Sequence, residues 1–234
     1  MRDRIVVATS AELVGLAAEW LAREVTRAIT ERGSCALGLA GGRTPEPVYR
    51  QLAEESSIDW NRVDVFFSDE RAVPPDDPES NFRMVSQALL TRVPIRADHI
   101  HRMEAERTDR EAAARAYERS LPLRLDILIL GMGRDGHTAS LYPGSAALDE
   151  RHRLVVPVVG PTPPAERLSI TPPVIEAART LAVIATGEDK AVMVARALEG
   201  PVVAKAVPAQ LARGGFWFLD QAAAQRLADR RVTM

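Results

Sequence analysis

Short apolar runs alternate with longer amphipathic segments along most of the chain. The runs are rich in branched residues and end at glycine, proline or charged residues, as the buried strands of a parallel sheet do. This pattern predicts strands at residues 5–8, 35–40, 63–67, 125–130, 154–159, 168–171, 181–186 and 216–219.

The segments between these runs have helical spacing of their apolar residues. Ser10 is the expected N-cap of the first helix, and Pro45 suits the first turn of a helix that we expect to begin at Thr44. Alternation of strands and helices predicts an α/β fold, Rossmann-like, with a mostly parallel central sheet and helices on both faces. We expect residues 1–234 to form a single domain. The predicted helices are 10–32, one from 44, 81–91, 110–120, a short one from 172, 188–198 and 221–228.

Composition and charge exclude several classes of protein. No apolar run approaches the roughly 20 residues that span a bilayer, and the N-terminus lacks the pattern of a secretory signal. The single cysteine, Cys35, cannot form an internal disulfide bond. We therefore expect a cytoplasmic protein that is a monomer or a small homo-oligomer. A net charge of −2 disfavours binding to nucleic acid but is compatible with a small anionic ligand.

The stretch 125–145, LDILILGMGRDGHTASLYPGS, combines a buried strand with candidate catalytic residues. Loops at the carboxyl ends of parallel strands hold the ligands of open α/β sheets. His137 lies in such a loop, and a histidine with an ordinary pKa of about 6.5 can act as a base near neutral pH. Asp135, two residues earlier, could orient the imidazole or stabilise its charge. We predict that His137 and Asp135 form a catalytic pair.

The same stretch contains glycines at 131, 133 and 136 in the G-x-G-x-x-G arrangement of dinucleotide sites. A dinucleotide site also needs a helix that opens within the glycines and an acidic residue at the end of the next strand. Here Pro143 and Gly144 interrupt any helix, and the next apolar run ends in Gly160-Pro161 without an acid. We expect no nucleotide cofactor.

Two segments could bind a phosphate. In the turn Gly41-Gly42-Arg43-Thr44, backbone amides, a hydroxyl and a guanidinium follow a strand and precede a helix. A plain tight turn with Thr44 as N-cap is an equally good interpretation. Lys190, one of two lysines, lies in the first turn of a predicted helix, where an anion would relieve its conflict with the helix dipole. A solvent-exposed pair with Glu188 or Asp189 is the alternative.

Polar residues also follow the strand at 63–67. Asp69 and Arg71 are candidate ligand contacts at the carboxyl end of that strand, although most charged runs of this kind are solvated turns. Asn81 could bind a sugar hydroxyl, but its spacing favours a helix cap. His99 and His101 have no third metal ligand nearby, so we predict no metal site.

Six motifs occur in a familiar order: AGGRTP, FFSDER with SNF downstream, LGMGRDGHTASLYPGS, RLSITPPVIEAAR, GEDK, and PAQL with FWFLD. Together they resemble the 6-phosphogluconolactonase family, whose wider group includes glucosamine-6-phosphate deaminases and ribose-5-phosphate isomerases. The resemblance implies hydrolysis of 6-phospho-D-glucono-1,5-lactone to 6-phosphogluconate, in the oxidative pentose phosphate pathway, without a metal. The family's turn is usually SGGSTP, and this chain has Ala40 and Arg43 at the serine positions.

The candidate residues suit this carboxylic ester hydrolase activity. His137 would activate water, and backbone amides near the glycine pair would stabilise the oxyanion. Cationic side chains would hold the substrate phosphate. The expected substrate- and phosphate-binding residues are Gly41, Gly42, Arg43, Thr44, Asp69, Arg71, Asn81, Arg167 and Lys190.

Two other functions remain open. Amino-sugar phosphate deaminase-isomerases carry a glutamate soon after the D-G-H run, whereas residues 139–143 here are ASLYP. A non-catalytic sugar-phosphate sensor would usually be attached to a DNA-binding domain, and no basic helix-turn-helix segment precedes residue 35.

Overall fold

A six-stranded parallel sheet forms the centre of the molecule. The computed structural model describes residues 3–228. The strands of the central sheet run in the order β1-β9-β8-β5-β2-β3, and each neighbouring pair is parallel, as expected. The nine strands are β1 (Arg4–Ala8), β2 (Cys35–Leu39), β3 (Val63–Phe67), β4 (Asp69–Arg71), β5 (Ile127–Gly131), β6 (Val155–Val159), β7 (Glu166–Ile170), β8 (Thr180–Ala185) and β9 (Phe216–Asp220).

The order of the strands reverses direction at one point. From β2 the chain moves to β3 on one side, whereas from β5 it moves to β8 and β9 on the other. Crossovers between parallel strands are right-handed, so connections that run in opposite directions lie on opposite faces of the sheet. A crevice therefore opens between the carboxyl ends of β2 and β5, where ligands of such sheets bind. The helices are α1 (Ser10–Arg32), α2 (Glu46–Leu52), α3 (Asn81–Val85), α4 (Arg110–Ser120), α5 (Pro172–Ala177) and α6 (Ala191–Leu198).

A second, antiparallel sheet in the order β4-β7-β6 lies beside the central one. Residues 69–71, for which a solvated turn was the alternative to a ligand-binding role, form the short strand β4, because they pair with β7 in the register Arg71↔Arg167. Side chains directly opposite each other in an antiparallel pair lie on the same face. The second sheet therefore places two of the predicted phosphate-binding arginines side by side.

The N-cap predicted for α1 is wrong by one residue. Thr9, not Ser10, caps the helix: its hydroxyl accepts a hydrogen bond from the Glu12 amide, and the Glu12 carboxylate accepts one from the Thr9 amide at 3.1 Å. This is a capping box, which satisfies two amides at the start of the helix. The Ser10 hydroxyl instead donates to Asp220 Oδ2 at 3.0 Å.

The helix predicted at 221–228 is also wrong, since those residues form successive turns. The Asp220 carboxylate accepts a hydrogen bond from the Ala223 amide (2.7 Å), as an N-cap would, and another from the Gly187 amide (3.1 Å). The amides of Gln225 and Leu227 then bond three residues back, to the carbonyls of Ala222 and Ala224, so no regular α-helix follows. Three other predicted helices are shorter than expected: the one from Thr44 begins at Glu46, the one at 81–91 ends in a π-helical turn, and the one at 188–198 begins with a 3₁₀ turn.

No helix within residues 3–228 combines the length and the apolarity that crossing a bilayer requires.

We predict that Thr9→Ala lowers the free energy of unfolding by about 1 kcal/mol, because it removes the side-chain half of the capping box. Denaturant unfolding measures this change. Thr162→Ala, at an exposed loop position, is the matched control and should leave the unfolding midpoint unchanged. Equal midpoints for Thr9→Ala and the wild type would contradict the assigned cap.

Candidate active site

A cleft of about 220 Å³ lies at the carboxyl ends of β2 and β5, at the reversal of strand order. Ten of the eleven predicted site residues line it, and the eleventh, Asp135, contacts the side chain of His137 from outside the cleft. No local pattern in the sequence indicates that β4 and β7 approach the carboxyl-end edge of the central sheet. The ten are Gly41, Gly42, Arg43, Thr44, Asp69, Arg71, Asn81, His137, Arg167 and Lys190.

The loop after β5 presents His137 at the cleft. The Gly136 amide donates to the Gly133 carbonyl at 3.1 Å, and the Gly133 amide donates to the His137 carbonyl at 2.9 Å. Gly136 has φ +84°, which favours glycine. A Cβ on Gly133 would lie 2.1 Å from His137 Nδ1, so the imidazole occupies the space that a side chain there would fill. The loop turns back at Thr138, which forms a bridge with Leu141, and it does not open into the helix that a dinucleotide site would need.

His137 and Asp135 form a close pair. The distance from His137 Nδ1 to Asp135 Oδ1 is 2.6 Å, and the His137 amide donates to the same oxygen at 3.1 Å. Burial opposes ionisation of Asp135, but these hydrogen bonds and the histidine charge lower its pKa below the ordinary value. A carboxylate at Nδ1 stabilises the imidazolium and fixes the ring. Nε2 of His137 makes no hydrogen bond to any residue in the described part of the chain, so it is available to a water or a substrate.

Arg71 and Arg167 bring positive charge to the cleft from the second sheet. Arg71 Nη1 donates to the carbonyl of Glu79, and its Nε is buried without a partner among residues 3–228. Arg167 is 7% exposed, and its Nε donates to the Pro164 carbonyl at 3.2 Å. Two guanidinium groups at one side of the cleft make that side attractive to an anion.

Lys190 follows β8 and immediately precedes α6, in a 3₁₀ turn. Burial lowers the pKa of its ammonium; the charges of Arg134 and Arg43 add to this effect, and Asp189 and Asp220 oppose it. Asp189 forms its ion pair with Arg134, not with Lys190 as the solvent-exposed alternative would require. Lys190 is therefore a half-buried cation among other cations, an arrangement that an anion would stabilise.

The turn after β2 offers free backbone donors. The amides of residues 41–44 donate to no residue in the stretch 3–228 that the structure describes. Gly42 has φ +101°, and a Cβ on Gly41 would lie 1.8 Å from Asn81 Oδ1. Thr44 is not an N-cap here; its hydroxyl lies 3.3 Å from that of Thr186, at the end of β8. The turn can therefore present amides to an oxyanion or a phosphate.

Asn81 does not cap α3, because Ser80 does: its hydroxyl accepts from the Arg83 amide at 3.2 Å. The Asn81 side chain instead lies in the cleft and donates from Nδ2 to the Asp69 carbonyl at 2.9 Å. Its Oδ1 packs over Gly41. Asn81 thus joins the start of α3 to β4 and to the turn after β2.

The carboxylate of Asp69 is 7% exposed and is engaged within the protein. It accepts hydrogen bonds from the hydroxyls of Ser68 (3.0 Å) and Ser140 (2.7 Å). Between Ser140 and His137 lies Ala139, with φ +46°, a conformation that costs energy for a non-glycine residue and needs support from its surroundings. Asp69 therefore fastens the loop that carries His137 to β4.

Sequence reasoning missed three residues of this region. Ser140 binds Asp69, the Tyr142 ring lies 4.6 Å from the His137 ring between centroids, and Glu70 is buried behind Arg71. All three fall inside the quoted motifs, which was the available signal. No group of three or more His, Cys, Asp or Glu side chains in residues 3–228 is arranged to hold a metal ion.

Comparisons with known proteins agree with this geometry. Residues 8–217 match the family model of glucosamine-6-phosphate isomerases/6-phosphogluconolactonase. A 6-phosphogluconolactonase from Streptomyces coelicolor is 40% identical, with 96% of this chain and 94% of the relative covered. The crystal structure of 6-phosphogluconolactonase from Thermotoga maritima superposes with a TM-score of 0.84 at 30% identity, covering 94% of this chain and all of the other.

A monomeric glucosamine-6-phosphate deaminase also superposes, with a TM-score of 0.82, but at 24% identity over 95% of this chain and 99% of the other. That likeness shows the shared fold alone. The family match and the bacterial relative establish more: the chain belongs to the family of glucosamine-6-phosphate isomerases and 6-phosphogluconolactonases.

Proposed function

We propose that this protein hydrolyses 6-phospho-D-glucono-1,5-lactone to 6-phosphogluconate, with His137 as the base that activates water. The observation that carries the proposal is the His137–Asp135 pair, whose Nδ1–Oδ1 distance is 2.6 Å, at a cleft lined by Arg43, Arg71, Arg167 and Lys190. A base beside several cations fits an ester substrate that bears a phosphate. The relatives named 6-phosphogluconolactonase support the same substrate.

The reaction needs one base and one set of oxyanion donors. A water molecule transfers a proton to His137 Nε2 while its oxygen bonds to the lactone carbonyl carbon. Asp135 stabilises the resulting imidazolium, and the free amides of residues 41–44 stabilise the oxyanion. When the tetrahedral intermediate collapses, the bond to the ring oxygen breaks, and that oxygen takes the proton from His137. No step requires a metal or a cofactor.

The cations divide between two sides of the cleft. Arg71 and Arg167 belong to the second sheet, whereas Arg43 and Lys190 follow β2 and β8 of the central sheet. In this proposal they hold the phosphate and orient the lactone ring, with Asn81 contacting a ring hydroxyl. Phosphate binding is an interaction common to substrate and transition state, so it contributes chiefly to affinity.

A deaminase-isomerase is the alternative enzyme. Its proton transfer between sugar carbons needs an additional carboxylate in the cleft. Among the residues of the described chain that line the cleft, Asp69 is the one acid. Both of its carboxylate oxygens accept hydrogen bonds from serine hydroxyls. The geometry therefore favours hydrolysis over isomerisation. A non-catalytic sensor is distinguished by measuring whether the protein accelerates lactone opening.

Within this proposal the protein acts in the cytoplasm on a small phosphosugar and does not use nucleic acid or a membrane as a partner. The buried, free Cys35 suits a reducing compartment. In this proposal the protein is a monomer or a small homo-oligomer.

We expect the protein to hydrolyse 6-phosphogluconolactone with a kcat/KM at least about 100-fold above that for unphosphorylated gluconolactone, because the cations would gain their anionic partner only with the former. A pH-stat assay corrected for spontaneous hydrolysis measures both. Equal values for the two lactones would contradict a phosphate-binding cleft.

His137→Ala should lower kcat by about 10²–10⁴-fold with little change in KM, because proton transfer matters in the transition state alone. His152→Ala, in an exposed loop, is the matched control and should keep the wild-type kcat. Thermal unfolding of the same preparations separates loss of chemistry from loss of fold. A folded His137→Ala protein with near-normal kcat would refute the assignment.

The affinity for 6-phosphogluconate should fall as the pH rises through the pKa of Lys190. The ammonium attracts the phosphate only while it is protonated, and its pKa lies below the ordinary 10.5, so the decline should begin below that pH. Lys190→Arg keeps its charge and should shift the decline upwards, whereas Lys205→Arg, at the exposed lysine paired with Asp149, should not. Calorimetric titration measures the affinities. Identical profiles for the wild type and Lys190→Arg would exclude this role.

A further inference from the structure

Glu70 is a buried carboxylate that the proposed reaction does not use. It lies on β4 between Asp69 and Arg71 and is 3% exposed. An ionised carboxylate removed from water is costly unless hydrogen-bond donors replace the water. Burial raises the pKa of Glu70, and its hydrogen bonds oppose that rise. A buried acid in this position therefore calls for a structural or functional reason.

Four donors surround this carboxylate. Oε1 accepts from the amides of Arg71 and Asn81, both at 2.8 Å. Oε2 accepts from the Phe82 amide at 2.7 Å and from the Ser80 hydroxyl at 3.0 Å. Three of the four donors belong to residues 80–82, across the proline-rich loop from Glu70. One side chain thus joins the end of β4 to the beginning of α3.

The two amides bound to Oε1 belong to residues that line the cleft. Arg71 lines the cleft, and the Asn81 side chain extends between the Asp69 carbonyl and Gly41. The Asn81 side chain packs directly on Gly41: a Cβ at that glycine would be 1.8 Å from Asn81 Oδ1. A small shift of Asn81 would therefore change this contact. Glu70 itself is not among the residues that line the cleft in the described chain. Any effect it has on a substrate must pass through its neighbours.

We infer that Glu70 is a positioning residue of the site: its carboxylate fixes Arg71 and Asn81 in the geometry that binds the phosphosugar. This inference rests on the proposed function, because it takes these two residues as substrate contacts. It separates the roles of the adjacent acids of β4. Asp69 holds the loop that carries His137, whereas Glu70 holds the residues that bind substrate.

The decisive variant is Glu70→Gln, which keeps the size of the side chain. The amide nitrogen of glutamine would replace one carboxylate oxygen. This new donor would face either the amides of Arg71 and Asn81, now bound to Oε1, or the Phe82 amide, now bound to Oε2. We expect KM to rise about 10-fold, with kcat changed by less than about 3-fold, because binding contacts move while His137 and Asp135 do not. The affinity for 6-phosphogluconate, measured by calorimetry, should fall in parallel.

Asp126→Asn is the matched control for loss of a buried carboxylate. Asp126 is 9% exposed and precedes β5 at the opposite, amino-terminal edge of the sheet, where it accepts from the Ala36 amide and pairs with Arg32. We expect it to lower the melting temperature without changing KM. An equal rise of KM in both variants would show general destabilisation and overturn the inference, as would an unchanged KM in folded Glu70→Gln.

Ser80→Ala decides the question if Glu70→Gln does not fold. It removes one of the four donors, together with the hydroxyl that caps α3, and leaves the carboxylate in place. We expect a lower melting temperature from the lost cap and a smaller rise in KM, about 3-fold, with kcat retained. Unchanged KM in this variant would overturn the inference. A wild-type protein that binds 6-phosphogluconate but does not open the lactone would contradict the proposed function alone, and the affinities of the variants would then decide the role of Glu70. A wild type that neither binds nor reacts would overturn both.

Discussion

The reversal of strand order between β2 and β5 is the constraint on which the site depends. The connections that leave these two strands run in opposite directions, and right-handed crossovers then place them on opposite faces of the sheet. Neither connection covers the carboxyl ends of the two strands. The turn after β2, with its free amides, therefore faces the loop after β5, with its histidine, across one cleft.

The antiparallel sheet adds two arginines, Arg71 and Arg167, to the cleft at the edge of the central sheet. β4 leaves the central sheet just after β3 and pairs with β7, which sets Arg71 opposite Arg167 at the rim of the cleft. Two buried acids of β4 hold this arrangement: Asp69 bonds to Ser140 in the histidine loop, and Glu70 bonds to the start of α3. Protein donors satisfy each of the two carboxylates. Their hydrogen bonds therefore stabilise one geometry of the surrounding loops.

The electrostatics of the cleft differ from those of the whole chain. The net charge is −2, yet the cleft is lined by three arginines and a lysine, with one acid already engaged by serines. Burial and neighbouring cations lower the pKa of Lys190, and Arg71 keeps a donor without an acceptor in the described chain. The cleft is therefore locally cationic although the chain as a whole is slightly acidic.

Local signals in the sequence predicted the α/β class and most of the strands, because strand periodicity and glycine turns are properties of neighbouring residues. The same kind of signal, a histidine after a buried strand, made His137 a candidate base. The pairing of residues 69–71 with β7 and the absence of a helix at 221–228 became clear only from the structure. The Thr9–Glu12 capping box, in contrast, is a local pattern that the sequence alone could have indicated. The partner of residues 69–71 lies far along the chain, in β7, so no local pattern specifies it. The same holds for Glu70: its place in the chain suggests a solvated charge, and its four donors come together only when α3 packs against β4.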